Sequence, residues 1–171
     1  MIPFARSCAV VIQVLMTRVR VIIKYAGNGG TECVFMVKII TGTKGSGKTK
    51  VLIDMINKAA KETQGYVVCI DKSEKLRYDI PHSVRIVDTD ANNIYSFEAF
   101  YGLVAGLVAG NYDIKEIFID SILKVGGADF EALGAMLNKI EKLTSDEVEV
   151  VFTVSANLED LPESVSKYSV K

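Results

Sequence analysis

The sequence predicts an α/β fold of three layers, with helices on both faces of a mostly parallel five-stranded sheet. Three observations lead there. From Met36 onward, short β-branched apolar runs alternate with stretches of helical periodicity. The runs are continuously apolar rather than alternating, as in strands buried on both faces. A glycine-rich turn joins the first run to the first helix, and polar residues collect where later runs end. Ligands of open parallel sheets bind beyond those carboxyl ends.

The elements follow in order. "VFMVKIIT" (34–41) reads as the first strand. "KTKVLIDMINKAAKET" (48–63) carries Val51, Leu52, Met55, Ile56, Ala59 and Ala60 at helical spacing. "YVVCID" (66–71) is a second strand, entered through Gly65, and "VRIVD" (84–88) a third, reached through a polar stretch with Pro81. "SFEAFYGLVAGLVAG" (96–110) reads as a helix with Ser96 as N-cap. Its Gly102, Gly106 and Gly110 suit either close packing on the sheet or a helix–helix face. "IKEIFIDSIL" (114–123) is a fourth strand, "ADFEALGAMLNKIEKLT" (128–144) an amphipathic helix and "VEVVFTVSA" (148–156) a fifth strand. "LEDLPESVSKY" closes the chain as a turn or short helix.

The 171 residues suggest one domain with a sizeable core. Twenty basic residues against twenty-one acidic give no footprint for nucleic acid or an anionic membrane. Before Met36, four basic residues face one acidic residue, a net of +3; from Met36 on, sixteen face twenty, a net of −4. Cys8, Cys33 and Cys69 form no C-x-x-C pair, which argues against a disulfide framework or zinc site and fits a reducing, cytoplasmic setting. His82, the single histidine, follows Pro81 in a polar loop. Serine–histidine–aspartate catalysis and multi-histidine metal sites are thereby disfavoured.

Residues 1–35 read as an N-terminal extension and residues 36–171 as the folded domain. "SCAVVIQVLM" (7–16) is too short to span a bilayer, and Arg18 and Arg20 follow at once. Residues 19–25 and 31–40 around "AGNGG" form a candidate hairpin. That pairing conflicts with a first strand that is central and paired on both edges. The other reading takes Met36 as the start and residues 1–35 as leader.

Gly42-Thr43-Lys44-Gly45-Ser46-Gly47-Lys48-Thr49 fits G-x-x-x-x-G-K-[ST] at every fixed position. Glycines let the backbone wrap an anion and point successive N–H groups inward. The helix start adds partial positive charge. Lys48 is suited to the β- and γ-phosphates, and the Thr49 hydroxyl to Mg²⁺. Lys44 adds charge or faces solvent. The metal requires a second protein group at a neighbouring strand end, and Asp120, closing "EIFID", supplies a carboxylate there.

Residues 39–49 and 117–121 resemble the Walker A and Walker B motifs of the P-loop NTPase superfamily. The resemblance covers these two stretches as motifs and the chain after Met36 as an order of elements. It implies ATP and Mg²⁺ as ligands. GTP-binding switch proteins carry D-x-x-G at the metal strand, and Asp120-Ser-Ile-Leu lacks the glycine. "NKIE" (138–141) mimics their guanine-reading motif but sits within a helical pattern. Asp120-Ser121 looks like the RecA-like group, whose water-activating Glu follows the strand after the P-loop helix. In "CIDKSEK" that implies Glu74, one residue further from Asp71 than in RecA itself. The same resemblance implies a polar sensor at a later strand end, Ser155 or Asn157; strand-end turn chemistry accounts for them equally.

The expected function is an ATP·Mg-binding protein and slow RecA-like ATPase, with a protein partner or second copy of the chain supplying what isolated turnover lacks. An alternative is a small nucleoside or nucleotide kinase, with Asp71 or Glu74 as base. After Met36, however, only Arg77 and Arg85 are available to clamp phosphates. A third reading is a nucleotide-dependent switch that turns over little or no ATP. The layout also resembles small bacterial proteins described as twitching-motility ATPases, although the chain carries none of the histidine boxes of the large retraction motors.

Overall fold

The computed structural model describes residues 36–73, 75–144 and 147–170. The leader reading, and the hairpin reading up to residue 35, fall outside the described residues. The expected three-layer α/β/α arrangement is present. Five strands, β1 (Val37–Thr41), β2 (Tyr66–Asp71), β3 (Arg85–Asp88), β4 (Ile114–Ile119) and β5 (Glu149–Val154), form one sheet in the order β1-β5-β4-β2-β3. Every pairing is parallel.

The strands are apolar on both faces because both are covered. On one face, Leu52, Ile56 and Ala59 of α1 (Lys48–Glu62) pack with Val67, Cys69, Phe118 and Val151 of the sheet. On the other, α2 (Phe97–Gly110), α4 (Phe130–Thr144) and two short helices, α3 (Leu123–Gly126) and α5 (Glu163–Ser166), cover Val68, Ile70, Ile117, Ile119, Val150 and Phe152. Odd and even positions therefore separate the faces. Continuing the alternation to the strand ends puts Asp71, Asp120 and Thr153 on the side of α1.

Local chemistry sets the boundaries. Ser96 is extended and its hydroxyl accepts from the Ala99 N–H at 3.1 Å, as expected of an N-cap. The fourth strand ends at Ile119, four residues short of the expected 123. Ser121 takes φ +54°, which bends the chain out of the sheet, and α3 begins two residues later. The glycines of α2 do not mediate packing on the sheet: a Cβ at Gly102, Gly106 or Gly110 meets nothing within 4 Å. Phe97, Phe100 and Val104 are the buried positions of that helix.

The first strand is not central. β1 ends the strand order, with β5 on one side. Its other edge is met by the C-terminal segment, expected as a turn or short helix and not as a partner of the sheet. Ile39 N–H donates to the Tyr168 carbonyl at 2.9 Å and Val170 N–H donates to the Ile39 carbonyl at 3.1 Å. These bonds partner edge groups that otherwise require water or another chain.

Candidate functional site

The site lies at the carboxyl ends of β1, β4 and β5. β5 separates β1 from β4, so their axes are about 10 Å apart at the usual strand spacing. The loop after β1 must therefore lean across the end of β5 to meet β4. Residues Gly42–Gly47 form that loop, and α1 runs back over β5, β4 and β2.

Glycine is required at Gly42. Its φ of +152° is a backbone conformation that L side chains rarely adopt, and a Cβ there would stand 2.6 Å from Ser46 Oγ, so that hydroxyl would have to turn away. Gly45 and Gly47 take φ +85° and +89°, in the left-handed region. The turn is closed by Ser46 N–H donating to Thr43 O at 3.2 Å and Gly42 N–H donating to Ala156 O at 2.9 Å.

Lys48 folds back over this loop. Its Nζ donates to the carbonyls of Gly42 and Thr43, both at 2.7 Å, and to Ser46 Oγ at 3.4 Å. Burial lowers its pKa, and the charge of Asp120 opposes that shift. No side chain caps the N-terminus of α1; the capping residue is Gly47. Its first-turn N–H groups have no intrahelical partner. Gly47, Lys48 and Thr49 border a cavity of about 570 Å³, together with Lys44, Gly45, Ser121, Leu123, Lys124 and Ser155.

Thr49 faces the end of β4. Its hydroxyl donates to Asp120 Oδ1 at 3.2 Å. The Asp120 carboxylate is 7 % exposed, and two further hydroxyls meet it. Thr153 Oγ1 donates to Oδ1 at 2.8 Å and Ser121 Oγ donates to Oδ2 at 2.9 Å. The Ser121 N–H donates to Thr153 Oγ1 at 2.6 Å. The donor set that an incoming cation would meet is a carboxylate and a hydroxyl. Both are hard oxygens, and two protein ligands beside phosphate and water are what Mg²⁺ ordinarily takes. Thr49 and Asp120 therefore fit that ion.

Thr153 escaped the sequence reading. The available signal was a lone hydroxyl in the apolar run "VVFTV" of β5. In the parallel ladder Phe152 pairs with Ile119, so Thr153 stands beside Asp120.

The other candidates separate. Lys44 is exposed and borders the cavity, as does Ser155. Asn157 is exposed and its Nδ2 donates to Asp160 Oδ2 at 3.0 Å, a bond local to the turn. Glu74 lies outside the described residues. Asp71 ends β2 next to Asp120 and is 5 % exposed, its Oδ1 accepting from Lys72 N–H at 2.7 Å. Burial raises its pKa; the Lys72 N–H lowers it and the Asp120 charge adds to the rise. Burial, with the charges of Asp71 and Asp120, pushes the Cys69 thiol up to about 12, so it stays protonated and unreactive.

No family model matches the chain, and no curated protein matches it. Among solved structures, C. elegans PCH-2 is similar with a TM-score of 0.48 and 14% identity, over 78% of this chain and 33% of that one. The chain thus spans about a third of the length of that protein.

Proposed function

We propose that the protein binds ATP with Mg²⁺ at Gly42–Thr49 and Asp120 and hydrolyses it slowly. One observation carries this reading. An uncapped helix start, a buried lysine held by loop carbonyls and the Thr49 hydroxyl border one cavity, and that hydroxyl is bonded to the Asp120 carboxylate. Each is the residue type that a phosphate chain and its counter-ion require.

In this reading Lys48 exchanges the carbonyls of Gly42 and Thr43 for β- and γ-phosphate oxygens. The backbone N–H groups of Gly45–Thr49 donate to the phosphates, and Lys44 adds charge at the rim. Thr49 and Asp120 would hold Mg²⁺, which when bound would offset charge on the phosphoryl oxygens. Glu74 is the proposed group that orients the attacking water. Ser155, at the cavity rim, is the better placed of the two proposed γ-phosphate sensors, since Asn157 is engaged with Asp160.

No arginine borders the cavity among the described residues, so the isolated chain should turn over slowly. An arginine supplied by a partner or a second copy accelerates related sites by about 10³–10⁵-fold. ATP is preferred to GTP because the guanine-reading motifs are missing. Among the described residues no helix is long and apolar enough to cross a membrane, and a cytoplasmic setting is part of the proposal.

Asp71 favours a second reading, phosphoryl transfer to a hydroxyl. It is a buried carboxylate of raised pKa beside Asp120, the character of a general base. Measuring phosphate release in water beside transfer to a panel of nucleosides separates the two. Hydrolysis predicts free phosphate that Glu74→Gln removes while nucleotide binding persists. Full turnover in that variant would take Glu74 out of the mechanism. Transfer to a nucleoside would establish the kinase reading, and tight binding with neither product would leave the switch.

A further inference from the structure

The geometry points to Thr153 as a positioning residue that, with Ser121, holds the Asp120 carboxylate ready for Mg²⁺. This inference rests on the nucleotide reading and deepens it.

The hydroxyl of Thr153 has one proton to give. Its neighbour at 2.6 Å is the Ser121 backbone N–H, which can only donate. The oxygen of Thr153 must therefore accept there, and its proton is directed to Asp120 Oδ1 at 2.8 Å. A backbone group thus fixes the direction of a side-chain bond. Ser121 then closes the arrangement from its own side chain, donating to Oδ2 at 2.9 Å. Its φ of +54° turns the chain away from the sheet directly after Asp120.

Thr49 shares Oδ1 with Thr153. The Thr49 oxygen can turn a lone pair to the metal while its proton stays on Asp120, but that bond then moves with the metal. The Thr153 bond remains. Thr153 is 1 % exposed and sits on a strand, so its oxygen has little freedom to follow or leave the carboxylate. Fixed donors of this kind orient a ligating carboxylate without touching the metal.

The test is a titration of the full chain with the non-hydrolysable analogue AMP-PNP, once with Mg²⁺ and once with EDTA. Thr153→Val keeps shape and removes both bonds. It should weaken binding about 10-fold or more with Mg²⁺, the usual scale for such partners, and leave binding in EDTA unchanged. Thr153→Ser should restore the metal-dependent part. A purely structural role would lower both affinities together, and that result, or unchanged affinity with Mg²⁺ in folded Thr153→Val, overturns the inference. Should Thr153→Val fail to fold, Ser121→Ala decides by the same pair of titrations. A lower affinity with Mg²⁺ alone supports the inference, and unchanged affinity overturns it. A wild-type chain that binds the analogue in neither condition overturns the nucleotide reading, and this inference with it.

Discussion

At the residue scale, two carboxylates with different surroundings stand side by side at the strand ends. Asp120 receives three hydroxyl protons, from Thr49, Thr153 and Ser121. Asp71 is penalised by burial and by the Asp120 charge, which the backbone N–H groups of Lys72 and Ser73 and the Lys124 charge offset only in part. The raised pKa of Asp71 has a definite consequence. The folded state holds this proton more tightly than the unfolded chain, so its contribution favours folding at low pH. That contribution fades as pH rises from about 3.8, the ordinary value of the group, through the raised folded pKa. Above that window the charged form carries the full cost. Asp71→Asn keeps an acceptor for Lys72 N–H and removes the charge. In nucleotide-free protein it should be more stable than wild type at neutral pH, with the advantage shrinking as pH falls toward 4. Urea unfolding at several pH values measures this, and an advantage independent of pH would contradict it. Much at this scale was readable. Gly42, Lys48, Thr49 and Asp120 were each singled out from residue type and spacing; Lys48 and Thr49 border the cavity, Lys48 meets the Gly42 carbonyl and Thr49 meets Asp120. Thr153 was not readable, because a single hydroxyl in a strand has meaning only once its neighbouring strand is known.

At the scale of elements, the two long faces are built differently. α1 packs through Leu52, Ile56 and Ala59 and leaves its N-terminus uncapped toward the cavity. α2 is capped by Ser96 and buries Phe100, whose ring lies 6.2 Å from that of Phe152 at an interplanar angle of 53°. A fully buried phenylalanine truncated to alanine typically costs about 3–5 kcal/mol. Phe100→Ala should lose stability on that scale in urea unfolding while the residual folded fraction keeps its nucleotide affinity. Its ring reaches β5 on the face opposite α1, away from the Gly42–Gly47 loop. A loss under 1 kcal/mol would show that the site collapses around the gap. The α1, α2 and α4 boundaries were legible because caps and apolar periodicity are local signals. The end of β4 was not. "IDSIL" continues the apolar pattern through Leu123, and only the positive φ at Ser121 breaks it.

At the scale of the whole molecule, the fold class followed from alternation and continuous apolarity, but the strand order did not. Parallel partners are far apart in sequence, and nothing in "VKIIT" or "EVVFTV" says that they pair. Nor did "SKYSV" reveal that it meets the outer edge of β1, since its bonds there use backbone groups. The order β1-β5-β4-β2-β3 is what makes the site. It sets β5 between the Gly42–Gly47 loop and Asp120, so that Thr153 meets the carboxylate from β5 while Thr49 meets it from α1. The central claim is that this junction holds a triphosphate. Calorimetric titration of Mg·ATP into wild type and Lys48→Ala tests it most directly. The hydrogen bonds of Lys48 all go to oxygens of its own loop, so the variant should fold, and a thermal melt verifies that. The account predicts saturable binding to wild type and a loss of at least about 100-fold in folded Lys48→Ala, the scale of a desolvated charge-assisted contact at about 3 kcal/mol. Equal affinity in the two proteins would contradict it.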